Sequence, residues 1–207
     1  MRAETEERAW PAVSRHTLAR LAAGFAVGVA LWFGFREAYE RPLAAAAQPL
    51  LRAFERPQVT LLSAKGGEIL VDRSDFSPGS PRPGLPADDL HFNFVLLTAL
   101  FALQPHFFEG RSLLRLLGAC GLLFLVHVLA LVFQVESVYA TRLGQWSAAN
   151  YGPVARNIWA GGFHFYLIAG RFAAPFAIWW LLARKGFSGS RGSERSRGRK
   201  VSRSARP

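Results

Sequence analysis

The run Leu116–Val135, LLGACGLLFLVHVLALVFQV, constrains this chain more than any other stretch. About twenty residues without a formal charge, at ~1.5 Å per residue, are long enough to cross a ~30 Å hydrocarbon core as a helix. Arg115 stands at one end and Glu136 at the other, where a spanning helix can leave charges in water. Only Cys120, His127 and Gln134 carry polar side-chain atoms inside the run. A buried helix of a soluble protein can be equally apolar. Three further apolar runs in the same 207 residues favour a bilayer instead.

The composition fits that reading. Half of the residues are hydrophobic (51%), and 6 Trp and 17 Phe suit aromatic belts at two interfaces. A net charge of +11 looks like a nucleic-acid signal until it is located. From Arg184 to Pro207 there are nine Lys/Arg against the single Glu194, in a low-complexity Arg/Ser/Gly tail. Such a tail beside a bilayer meets anionic lipid first, so Arg184, Lys185, Arg191, Arg195, Arg197, Arg199 and Lys200 are expected to contact lipid headgroups, and nucleic acid is not expected as a partner. The 1 cysteine excludes an intramolecular disulfide and a cysteine-based zinc cage.

Taken in order, the chain reads as a charged tail over 1–16, a first span over 17–36 and a polar segment over 37–89. Gly24 and Gly28 give the first span a GxxxG spacing suited to close helix approach. Leu43–Phe54 reads as a short interfacial helix. Beyond it, TLLSA and EILV flank Lys65-Gly66-Gly67, which predicts a β-hairpin. Ser77–Asp89 is rich in Pro and Gly and reads as a loop. A second span is expected over 90–108, the central span over 113–135, a loop over 136–162 that grazes the interface, a fourth span over 163–183 and a disordered basic tail over 184–207. The expected fold class is thus an all-α membrane protein with four transmembrane helices and a small extracytoplasmic β-hairpin. Basic residues at Arg111, Arg115 and Arg184-Lys185 place both termini in the cytoplasm by the positive-inside rule.

Depth selects the residues that can carry chemistry. His127 lies about 16 Å along the central helix and Arg171 about 12 Å into the fourth span, with Thr98 of the second span at similar depth. An arginine there needs a polar partner, and Pro175 cannot donate to the Arg171 carbonyl. Thr98, His127 and Arg171 therefore form a candidate intramembrane polar cluster. The alternative is an Arg171 that snorkels outward, with His127 as glue between helices. At the outer face, His91, Asn93, Arg156, Asn157 and His164 are candidates for binding a headgroup or a partner, though their spacing fits no metal or catalytic-triad signature. Cys120 falls only about 6 Å from the cytoplasmic end among Gly, Ala and Leu, which predicts an inert thiol. No catalytic residue, metal ligand or cofactor motif is expected.

Several stretches resemble one family. They are PLLRAF (Pro49–Phe54), QVTLLSAKGGEILVD, a span built like LHFNFVLLTALFALQP, the RSLLRLLGACGLLFLVHVLALV run, and a closing FHFYLIAGRFAAPFAIWWLL with its late proline. Over most of residues 18–183 the layout is similar to the small membrane proteins of the exosortase H-associated type. The resemblance implies a non-enzymatic accessory of a protein-sorting system in a bacterial inner membrane, with an exosortase-type membrane protein and lipids as partners. Exosortases themselves, which are membrane cysteine transpeptidases, supply the enzymatic alternative through Cys120. Their nucleophile is followed by Ser-Gly, whereas Ala119-Cys120-Gly121 lacks the Ser. A small transporter or channel-like subunit, with Arg171 and His127 lining a path, is the third reading.

Overall fold

The computed structural model describes residues 14–55, 57–77, 79–80, 82–104 and 107–183. The expected lipid contacts from Arg184 onward lie outside them. Among the described residues, three helices are long and apolar enough to cross a membrane by length and composition: Arg15–Phe54, Gly110–Thr141 and Pro153–Ala183. Large apolar side chains such as Phe33, Leu117, Leu125, Ile168 and Phe176 stand exposed along them, as lipid-facing residues would.

Helix α1 (Arg15–Phe54) starts at Ser14, whose hydroxyl accepts from the Thr17 N–H as an N-cap. At 40 residues it is about 60 Å long, twice a bilayer core. Leu43–Phe54, expected as a separate interfacial helix, instead continues α1 through Pro42 and Pro49. Each proline removes one backbone donor, a loss that α1 tolerates because its last turns are packed. Leu43, Ala44, Ala47 and Leu51 there are buried beneath a small sheet. Gln48 Oε1 accepts from the Leu62 N–H at 2.9 Å, and Arg52 Nε donates to the Thr60 carbonyl at 2.8 Å.

The expected hairpin is present. Strands β1 (Thr60–Lys65) and β2 (Glu68–Arg73) pair antiparallel about Gly66-Gly67, whose φ values of 62° and 84° are those a two-residue turn requires. The Pro/Gly-rich stretch read as a loop also contributes β3 (Gly84–Pro86), which pairs antiparallel with β2. Prolines are tolerated there because β3 is an edge strand that can offer carbonyls alone: the Val71 N–H donates to Pro83 O at 2.9 Å. Ile69, Val71 and Leu85 turn one sheet face onto α1 and onto the C-terminal part of α4.

The stretch 90–108 differs most from expectation. It holds α2 (Asp88–His91) and α3 (Phe94–Ala102), separated by a turn at Phe92-Asn93. With 9 residues α3 is about 14 Å long, short of a bilayer core. The two pieces run antiparallel along α1, with Asp88 beside Arg36, His91 beside Trp32 and Thr98 beside Gly24. Gly24 and Gly28 make that approach possible, since a Cβ on Gly24 would overlap Ala102 and one on Gly28 would overlap Thr98.

Helix α4 (Gly110–Thr141) runs parallel to α1 and extends past the expected end at 135. The segment 136–162, expected as a loop, is largely helical: α4 continues to Thr141, followed by α5 (Gln145–Asn150) and α6 (Pro153–Phe165). Through one π turn (Tyr166–Gly170), α6 continues as helix to Ala183. It runs back along α4, with Gly162 against the Phe133 ring and Ile178 against Leu97, Phe101 and Leu123.

Candidate functional site

His127 anchors a hydrogen-bonded chain that crosses the bundle. Tyr39 of α1 places its hydroxyl 2.7 Å from His127 Nδ1, and Asn93 Oδ1 lies 2.7 Å from His127 Nε2. Asn93 Nδ2 donates to the Tyr166 hydroxyl at 3.3 Å, and that hydroxyl donates to the Leu90 carbonyl at 2.5 Å. Asn93 reaches both partners from the Phe92-Asn93 turn between α2 and α3. All members are neutral, so the chain joins four segments without burying a formal charge.

The predicted trio of Thr98, His127 and Arg171 does not bond together. Thr98 Oγ1 donates to Val95 O at 2.8 Å and approaches Gly24 O at 3.4 Å, within the α1–α3 contact. The Arg171 guanidinium lies over the Phe172 ring at 4.9 Å, and its Nε has no hydrogen-bond partner among the described residues. Of the outer-face candidates, His91 and Asn93 are buried. Arg156 Nε donates to Tyr151 O at 2.8 Å, Asn157 is exposed, and His164 is exposed with Nδ1 2.7 Å from Ala160 O.

His91 belongs to a second polar group, built around α2. The Trp32 indole N–H donates to His91 Nδ1 at 2.9 Å. Arg36 donates to Asp88 Oδ2 at 3.4 Å and also lies 5.6 Å from the Trp32 ring centre. Glu40, one turn beyond Arg36, is 1% exposed and faces the Gly67 backbone N–H in the hairpin turn. Between this group and Cys120 lies a cavity of about 280 Å³, lined by Trp32, Arg36, Tyr39, His91, Phe94, Cys120 and their apolar neighbours. Its walls are almost wholly apolar, and among the described residues no side chain hydrogen-bonds the thiol.

At the far side of the sheet, Arg73 is only 8% exposed yet fully engaged. It forms ion pairs with Glu55 at 3.3 Å and Asp75 at 2.9 Å, and lies over the rings of Trp146 (4.6 Å) and Tyr139 (4.9 Å). Burial works against its charge, but the Asp75 hydrogen bond and the neighbouring acidic groups hold its pKa above the ordinary value. The same bond holds Asp75 below the ordinary carboxylate range. Tyr151 donates to Glu136 Oε2 at 2.7 Å, and burial followed by that bond raises its pKa.

Sequence reasoning missed Trp32, Tyr39, Glu40, Asp88 and Tyr166. Their only local signal is the polarity of Glu40 and Asp88 beside apolar runs, because their partners come from distant segments. No family model, no curated protein and no solved structure matches this chain.

Proposed function

We propose that the chain is a non-enzymatic membrane accessory protein that crosses a bacterial inner membrane four times, with both termini cytoplasmic, and serves an exosortase-type sorting enzyme. The observation that carries the non-enzymatic reading is how the buried polar side chains are used. Tyr39, His127, Asn93 and Tyr166 bond one another across the bundle, while among the described residues no side chain hydrogen-bonds Cys120 to act as its base. The fourth crossing is supported by residues 88–104, which run back along the whole apolar length of α1 despite the break. The partner is inferred from the sequence resemblance alone, and the sheet packed on α1 and α4 offers it a rigid platform.

One observation favours the enzymatic alternative: Cys120, His91 and Arg36 line the same cavity. Cys120→Ala separates the two readings. Sorting of the cognate proteins and co-purification with the exosortase-type enzyme are expected to survive. Loss of sorting at normal protein level would replace the accessory with an enzyme. Alkaline phosphatase fused near Ser80 should be active and fused after Leu182 inactive; the reverse pattern would overturn the topology.

A further inference from the structure

Glu40 Oε1, Asp88 Oδ1 and His91 Nε2 are buried side by side, and none has a hydrogen-bond partner among the described residues. One ligand atom from each of the three residues lies within 4.8 Å of the other two. Glu40 and His91 are 1% and 2% exposed, so solvent does not supply what the protein withholds. Asp88 and His91 share one face of α2 at i and i+3 spacing, with Nε2 3.9 Å from Oδ1, beyond hydrogen-bond reach. Burying such groups without compensation is costly, which makes their convergence informative.

We propose that Glu40, Asp88 and His91 bind one divalent transition-metal cation of the zinc class, which clips α1 to α2 beneath the hairpin turn. Charge favours a cation over a water molecule. Arg36 pairs with Asp88 through Oδ2, whereas Glu40 forms no ion pair of its own among the described residues. The donor set of one imidazole nitrogen and two carboxylate oxygens suits zinc and leaves a fourth position for water. Calcium and magnesium, which seek six or more oxygens, are poorly served by it. Tetrahedral zinc with bonds of ~2.1 Å holds its donors about 3.4 Å apart, so the widest gap has to close by roughly 1.4 Å. The Asp88 side chain, 41% exposed at the start of α2, has room to shift toward the other two.

Trp32 adds a sharper consequence. Its indole N–H can only donate, so the neutral His91 ring accepts at Nδ1 and carries its proton on Nε2. Coordination through Nε2 moves that proton to Nδ1, where it faces the indole N–H donor. Metal binding and the Trp32–His91 hydrogen bond are therefore mutually exclusive, and removing the indole N–H should strengthen binding.

The test is zinc chloride titrated into the purified full chain in detergent, in competition with a chromogenic chelator. Wild type should take up one zinc through this site with a raised melting temperature. Glu40→Gln and His91→Ala should each weaken uptake at least about tenfold, and Trp32→Phe should tighten it. Asp88→Asn, at a half-exposed position, carries the comparison if a buried variant fails to fold. Wild-type protein that takes up no zinc overturns the proposal. Variants that hold zinc as wild type does also overturn it, because binding then lies at other histidines and the cluster holds only water.

Discussion

His127 and His91 are 1% and 2% exposed, yet His127 has a partner on each ring nitrogen and His91 on only one. Neutral hydroxyl and amide groups from three segments surround His127, so its chain closes on itself. His91 faces two carboxylates instead, and Glu40 and Asp88 each leave one oxygen unused beside it. A closed neutral chain holds helices together and asks for nothing further. An open cluster with unspent negative charge asks for a cation. Burial alone would have ranked the two histidines as equals; the hydrogen-bond inventory separates them.

The widest separation should appear when each ring is removed. His127→Ala leaves the Tyr39 hydroxyl and Asn93 Oδ1 without a partner and opens a cavity, a loss of about 2–4 kcal/mol. His91→Ala, in metal-free protein, also opens a cavity and loses the contacts with the Trp32 and Tyr39 rings, but it unpairs the Trp32 indole alone, so its loss should be smaller by about 1 kcal/mol. Unfolding of both variants in one detergent, with a chelator present, measures the difference. Equal losses would break the contrast.

A smaller effect should come from the contact that brings both histidines to their partners. In Gly28→Ala the new methyl meets Thr98 Oγ1 and the Val95 backbone, so α3 has to move away from α1, at a cost of about 1–3 kcal/mol. Helix stability by itself predicts the opposite sign, because alanine is the better helix former. A stabilised variant would show that α3 does not rest on Gly28.

The smallest effect concerns the Arg73–Asp75 pair at the sheet end, where Asp75 is the exposed member. Hydrogen bonding to Arg73 lowers the Asp75 pKa, so its contribution is complete above the ordinary carboxylate range, near pH 4, and is lost as pH falls through the lowered folded value. Asp75→Asn should therefore narrow the stability difference between neutral and acid pH while leaving His127 and His91 chemistry unchanged. An unaltered acid profile would remove Asp75 from the acid response.

Much of the fold was legible locally. Apolar length announced the central helix, and Gly66-Gly67 between two β-prone runs announced the hairpin, because chain geometry and turn sterics act within a few residues. The stretch 90–108 is less regular than its hydropathy announces: Phe92-Asn93 interrupts it, at the residue that bonds His127 and Tyr166. Likewise Gly84–Pro86 looks like loop and becomes strand only because β2 has a free edge beside it. Of the intramembrane trio, His127 does enter a network, although with partners the sequence did not nominate.

The sequence by itself determined which segments are apolar enough to leave water, where the chain can turn tightly, and that few polar side chains accompany the helices. It could not determine which of those polar groups meet. Tyr39 and His127 are 88 residues apart, and Arg36 and Asp88 are 52 apart. Their encounter depends on the register in which residues 88–102 lie along α1, and Gly24 and Gly28 set that register by admitting Thr98 and Ala102. Side-chain partnership across such distances follows from packing, and packing exists only once the helices are together.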